Sequence, residues 1–225
     1  MSSEEQLSYS FEVIFLKPNK ADPAGTRGKT AAGFEVQRKH EDFVRYALEG
    51  VKVEDDSVVL RILQWTSYDG HMRFRASPLF GFTSSYPQFA AAREGAALDL
   101  VSLKHYHFYR PLSFDPPIPV FEVIDANLKP AGLHSFPAFL SALNEVVSMI
   151  SDYSGLGWTV GWQKEDPSKI LVFIGWNSLE QPGEFTASGD KGWNEFISKF
   201  GPFLEKYLDI DQKYHIKTVG IGESA

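Results

Sequence analysis

Cysteine is absent from this chain, which removes disulfides, thiolate nucleophiles and sulfur-ligated metal sites together. Positive charge is sparse and dispersed: 22 Lys and Arg stand against 29 Asp and Glu, for a formal net charge of −7. Neutralising nucleic-acid phosphates needs clustered Lys and Arg. No such cluster or basic–aromatic stripe occurs, so no nucleic-acid partner is expected. Long apolar runs are missing as well. The longest, Ile170 to Trp176, falls far below the roughly 20 residues of a membrane-crossing helix, and no membrane partner is expected. The opening MSSEEQLSYS has neither the basic nor the apolar segment of a secretory signal, so the expectation is a cytoplasmic protein. Nucleophile elbows, phosphate-cradling glycine loops and dinucleotide fingerprints are also lacking. What the chain does have is the apolar content of a soluble globule, 43%, and the length to bury a substantial core.

Its most informative feature occurs twice. Trp65-Thr66-Ser67 followed by Phe74-Arg75-Ala76-Ser77, and Trp176-Asn177-Ser178 followed by Phe185-Thr186-Ala187-Ser188, are one string, W-x-S-x6-F-x-A-S, repeated 111 residues apart. Upstream, Val51 to Trp65 lies over Trp162 to Trp176 without a gap, with Glu54-Asp55 on Glu165-Asp166. With small gaps, Phe11-Glu12-Val13 and Leu16-Lys17-Pro18 answer Phe121-Glu122-Val123 and Leu128-Lys129-Pro130. Such self-similarity implies a tandem duplication of one α+β unit of about 110 residues.

Each unit reads β-α-β-β-α-β, the split βαβ or ferredoxin-like arrangement. In the first, strands are expected at 9–16, 50–53, 58–65 and 97–110. A helix is expected over 33–48, on a stripe of Val36, His40, Phe43, Val44 and Ala47. A second helix, interrupted by Pro78, Gly81 and Pro87, is convincing only over 88–94. The stretch 19–32, with Gly, Pro and mixed charge, reads as a long loop, either a solvated insertion or a lid. Residues 111–119 carry four prolines in nine positions, a semi-rigid linker dividing a first repeat, 1–110, from a second, 120–225. The second repeat reads more cleanly, with strands at 120–128, 158–163, 169–176 and 214–220 and helices at 135–150 and 192–207. Two four-stranded sheets of this kind can bury their open faces against one another with helices outside. The expected fold is thus two tandem ferredoxin-like repeats forming an intrachain α+β barrel, as a monomeric pseudo-dimer or a homodimer.

On the strength of Ala126-Asn127-Leu128-Lys129-Pro130, Glu165-Asp166-Pro167, and Ile174-Gly175-Trp176-Asn177-Ser178 with Phe185 and Ser188, the second unit resembles the antibiotic biosynthesis monooxygenase-like family of the dimeric α+β barrel superfamily. The first unit shares the resemblance through the repeat. The resemblance implies a barrel that the family usually builds from two chains and that one chain would build here. It also implies a pocket between each sheet and its own two helices. Members of the family include cofactor-free oxygenases that turn phenolic polyketides into quinones, haem-degrading enzymes, and polyketide cyclases or isomerases. The haem-degrading branch uses an asparagine at the end of the first strand, a tryptophan nine residues after that of W-x-S, and an axial histidine on the second helix. Asn127 matches the first, but the other two positions fall on Phe185 and Glu195, and in the first unit the three fall on Phe15, Phe74 and about Ser84. Without the axial histidine haem is poorly supported, and no cofactor is expected.

The two units differ most at polar positions. His40 stands in a helix stripe whose counterpart has Leu143. His105, His107 and Tyr109 share one face of a strand by alternation. An imidazole can take a phenolic or α-carbonyl proton near neutral pH, which makes His40, His105 and His107 the candidate bases. Tyr109 or Arg110 could steady the resulting oxyanion. Substrate contacts are expected from Tyr109, Arg61, Trp65, Phe80, Phe82 and Asn127. A plainer reading stands beside each: satisfied core histidines, a solvent-facing Arg61 where the copy has Val172, packing for Trp65, Trp176 and the aromatics of 79–82, and a turn cap for Asn127. His71, opposite Pro182, is expected at the surface, and His134 and His215 have no evident partner. His105 and His107 point the same way, but a cupin would add a glutamate soon after and no helices, so no metal is expected. The expected function is a cofactor-independent enzyme of secondary metabolism. It would act on a hydrophobic aromatic or polyketide-like small molecule by proton abstraction, as a monooxygenase or a cyclase/isomerase. The alternative is a non-catalytic ligand-binding or stress-responsive barrel.

Overall fold

The computed structural model describes residues 9–18, 36–80, 98–110, 117–189 and 191–219. It is an α+β arrangement of eight strands and five helices among those residues. The chain divides into two compact units: the first lies within Met1–His107 and takes in Val219, and the second is Phe108–Thr218.

In the first unit β1 (Ser10–Pro18), β2 (Phe43–Lys52), β3 (Val59–Trp65) and β4 (Leu98–Phe108) pair antiparallel in the order β4-β1-β3-β2. The apolar run of β3 explains its central place: Leu60, Ile62, Leu63 and Trp65 are fully buried. The turn into β3 is tied by Asp55, whose Oδ1 accepts from both the amide and the hydroxyl of Ser57. Helix α1 (Tyr68–Ala76) starts where the Ser67 hydroxyl accepts the Gly70 amide at 2.9 Å. Asp69 in its first turn and Arg73 and Arg75 in its last suit the helix dipole.

The second unit contains β5 (Val120–Leu128), α2 (Pro130–His134), α3 (Phe136–Ser154), β6 (Trp158–Gln163), β7 (Lys169–Trp176), α4 (Gln181–Ala187), α5 (Lys191–Tyr207) and β8 (Leu208–Thr218). Its strands run β8-β5-β7-β6. Counted within each unit, both sheets have the order 4-1-3-2 of the split βαβ arrangement. The β6–β7 turn repeats the earlier one, with Asp166 Oδ1 accepting from the Ser168 amide at 3.0 Å and hydroxyl at 2.6 Å. Along α3, Phe139, Leu143, Val146, Val147 and Ile150 are buried at helical spacing, and Gly155, at φ +70°, ends the helix in the left-handed conformation. Pro202 stands inside α5. Among the described residues no helix is long and apolar enough to cross a membrane.

Strands β5, β6 and β7 take the bounds expected of them, whereas the helix expected over 33–48 does not form. Of its described part only Val36 and Gln37 are helical, and from Phe43 the chain is β2. The pairing of β2 with β3 shifts register between Phe43 and Arg45 and again between Tyr46 and Leu48. Each bulge adds a residue and turns the following side chains to the other face. Two in succession bury Ala47 and Leu48 together and space the apolar residues as a helix would. His40 therefore lies in the turn before β2, and its helical comparison with Leu143 lapses. The loop 19–32, the helix 88–94, residues 111–116 of the linker and Phe82 lie outside the described residues.

Candidate active site

The second unit holds a partly open cavity of about 330 Å³ between its sheet and its helices. Ile124, Val172 and Ile174 come from the sheet, Leu143, Val146 and Ile150 from α3, and Phe185 from α4. Helix α5 contributes Trp193, Phe196, Phe200 and Phe203. The wall is apolar and rich in aromatics, with two charged residues, Glu122 on β5 and Lys213 on β8. Glu122 is only 7% exposed. Its Oε2 lies 3.7 Å from Lys213 Nζ and 3.7 Å from His215 Nε2, longer than a hydrogen bond. Trp176, also in the wall, is 2% exposed, and its Nε1–H has no hydrogen-bond partner among the described residues. A buried indole N–H usually finds one.

The same register builds a counterpart in the first unit. Ser10 faces Trp65 as Val120 faces Trp176, and Glu12 faces His105 as Glu122 faces His215. Glu, Trp and His thus occupy matching places on both sheets. There the contacts are closed. Trp65 Nε1 donates to Glu12 Oε2 at 3.2 Å, and His71 stacks on the indole at 4.6 Å between ring centroids. His71 Nδ1 meets His105 Nε2 at 2.7 Å, while His71 Nε2 lies 3.6 Å from Glu12 Oε2. The two nitrogens of His71 face different partners, so the three groups stand in series rather than around a point. Burial pushes the Glu12 carboxyl up to about 7 against the Trp65 hydrogen bond and the charge of Arg75. Burial, then the nearby His105, Arg75 and His40, push His71 down to about 3. The 3.6 Å contact near neutral pH is therefore between a neutral imidazole and a readily protonated carboxyl, not an ion pair.

His71, expected at the surface, is 1% exposed. The motif Tyr68-Asp69-Gly70-His71 reads as a turn, yet it opens α1, which turns Gly70, His71 and Phe74 inward. His105 is buried as well, with Tyr68 edge-on at 4.9 Å. His40 Nδ1 accepts the Asp42 amide at 3.2 Å, which leaves its proton on Nε2, and its ring sits 5.5 Å from Phe74. His107 Nδ1 donates to the Tyr9 carbonyl at 3.0 Å. Arg61, expected to face solvent, has a side chain only 12% exposed and donates to Glu49 at 3.0 Å, because it shares a face with Leu63 and Trp65. Trp65 is packed among Phe43, His71 and Phe74, and Phe80 lies edge-on to Phe74. Tyr109 is half-exposed, with Arg110 over both its ring and that of Trp158. Asn127 donates to Asp211 at 2.8 Å. None of these residues lines the second-unit cavity. Glu122 and Trp176, which do, were open to inference: both belong to the repeat, and Glu122 is an acid in an apolar strand.

Among the described residues no cluster of three or more His, Cys, Asp or Glu is arranged to hold a metal ion. Among the described residues the cavity wall has no His, Cys, Met or Tyr, and those residues do not fit an axially ligated haem.

This α+β fold, with a 4-1-3-2 sheet in each unit, is shared with known proteins. No protein-family model matches the chain, and no curated protein matches it by sequence. Solved structures do. A candidate monooxygenase of Fusobacterium nucleatum is 10% identical with a TM-score of 0.59, over 95% of this chain and 93% of its own. An anthrone oxidase-like protein is 10% identical with a TM-score of 0.60, over 98% of this chain and 94% of its own. A heme-binding protein of Thermus thermophilus is 10% identical with a TM-score of 0.57, over 95% and 92% respectively. At such identity the likeness is one of fold, and it spans proteins of different chemistry.

Proposed function

We propose that the chain is an oxygenase-like enzyme of the antibiotic biosynthesis monooxygenase type, built by tandem duplication. It takes a hydrophobic aromatic small molecule into the second-unit cavity and activates it by removing a proton, without a metal or organic cofactor. The observation that carries this reading is the aromatic cavity of about 330 Å³ with the side chain of Glu122 in its largely apolar wall. Its volume falls in the range of small-molecule sites, roughly 300–1,000 Å³. The chemistry suits an anthrone, whose ring CH2 is acidified by the conjugated carbonyl. Loss of a proton leaves a carbanion that reacts with O2: the CH2 becomes a second carbonyl, and the other oxygen atom leaves as water. The shared fold with an anthrone oxidase-like protein supports this choice of test substrate.

The test is turnover of 1,8-dihydroxyanthrone under air, followed by quinone absorbance and oxygen uptake. Filling the cavity with Val146→Trp is expected to lower kcat/KM at least about tenfold with unchanged far-UV circular dichroism. Full activity in that variant would remove the second-unit pocket from the mechanism. A second reading keeps the base in the first unit, at His105 backed by His71 and Glu12. The 2.7 Å contact between the buried imidazoles favours it, and His40 and His107 stand as further candidates there. Binding without turnover would leave the non-catalytic alternative.

A further inference from the structure

We infer that the second-unit pocket selects hydrophobic amines, with Glu122 holding the ammonium head of a flat aromatic ligand. The inference rests on the proposed ligand pocket and deepens it by naming the charge of the ligand.

Glu122 is the acidic member of a largely apolar and aromatic wall, and its side chain is only 9% exposed. A buried carboxylate is stable when it is both paired and hydrogen-bonded. In the first unit the matching Glu12 has such a bond, from Trp65 Nε1 at 3.2 Å. The contacts of the Glu122 carboxylate among the described residues are long ion pairs. Its Oε2 lies 3.7 Å from Lys213 Nζ and 3.7 Å from His215 Nε2, both beyond hydrogen-bond length. The Lys213 side chain is 56% exposed, and a pair with so exposed a lysine is weak and screened by salt. An imidazole, the group His215 offers, ordinarily carries little charge above about pH 7. Glu122 is thus a desolvated negative charge in a cavity wall without a full counter-charge.

An ammonium ligand meets both features of that wall. Its N–H groups donate to the carboxylate in place of the Lys213 head, which moves out into water. The rings of Phe185, Trp193, Phe196 and Phe200 cover the ligand body and offer cation–π faces. A ligand carboxylate in the same place would stand against Glu122 at low dielectric. Ile197 and Ile210 line the wall and are exposed, as is Lys213. The opening therefore lies toward α5 and β8, with the ammonium head near it and the rings inward.

Three probes of one shape test this by titration calorimetry at low salt and about pH 7.5: 2-naphthylmethylammonium, 2-naphthylmethanol and 2-naphthoate. Wild-type protein is expected to bind the ammonium about tenfold more tightly than the alcohol, and the naphthoate at least about tenfold more weakly. Glu122→Gln should cancel the preference for the ammonium while leaving the alcohol Kd within about threefold. Lys213→Met, at an exposed position, should raise the ammonium affinity about threefold, because a competing cation is gone. Val146→Trp, which fills the cavity, should abolish binding of all three. If no probe binds wild type, or Val146→Trp leaves binding intact, the pocket reading fails and this inference with it. If the alcohol binds but the ammonium binds no tighter, or Glu122→Gln keeps the preference, the inference alone is overturned. Should Glu122→Gln not fold, Lys213→Met decides, and an unchanged or lower ammonium affinity overturns the inference. Naphthoate as the tightest probe, weakened by Lys213→Met, overturns it in favour of an anion site.

Discussion

Burial sets the protonation of Glu12 and His71 against each other. Glu12 holds its proton in the folded state up to about pH 7, whereas an ordinary carboxyl releases it near 4.5. Its contribution is thus fully present below 4.5 and is lost as pH rises through 7. His71, lowered from 6.5 to about 3, is stable as the neutral imidazole. Its contribution is complete above 6.5 and is lost as pH falls toward 3. Between 4.5 and 6.5 the two slopes oppose, so stability is flattest there, falling on the acid side through His71 and on the alkaline side through Glu12. Gln at position 12 can still accept the Trp65 N–H but cannot ionise. Measured by urea unfolding, the stability of Glu12→Gln over wild type should widen by about 3 kcal/mol from about pH 4.5 to about pH 8; a constant gap would show that Glu12 does not titrate in this window. The repeated Phe-Glu-Val marked both glutamates in the sequence. Their partners were hidden because cross-strand pairing to His105 and His215 depends on register, and because His71 looked like a turn residue.

At the scale of elements, the second unit was legible because its signals agree. Val120–Leu128, Trp158–Gln163 and Lys169–Trp176 are apolar runs bounded by turn residues, and the Asp166–Ser168 turn is a local side-chain device. Where β2 has two bulges, period-two alternation is lost and the eye supplies a helix. Helix α3 was anticipated in place but not in length, since its end is decided by one residue. Gly155 adopts φ +70°, and a Cβ there would meet nothing within 4 Å. Gly155→Ala therefore isolates the conformational cost of the left-handed region, about 1 kcal/mol. Calorimetry should show Tm lower by about 2–4 °C; an unchanged Tm would mean that the helix ends equally well another way.

For the molecule as a whole, the strand order within each unit was readable from the β-α-β-β-α-β pattern, while the location of the ligand space was not. Polar side chains mark the first unit, yet the cavity found among the described residues belongs to the second, whose wall reads as ordinary core. Aromatic stripes that fill a core and those that line a void are the same in sequence; only packing separates them. With the Glu12, Trp65 and His71 side chains packed together in the first unit and the cavity in the second, titration calorimetry with 1,8-dihydroxyanthrone should give one site per chain. Two equal sites would mean that the first unit opens as well. Pro202 adds a mechanical consequence. Lacking an amide, it leaves the carbonyl of Ser198, four residues earlier, without its helical bond. Trp193, Phe196 and Phe200 lie before this break, and Phe203 and Leu204 after it. The α5 wall is in effect two leaves joined by a weakened seam. Bending the helix at this point gives up one backbone bond fewer than bending an uninterrupted one.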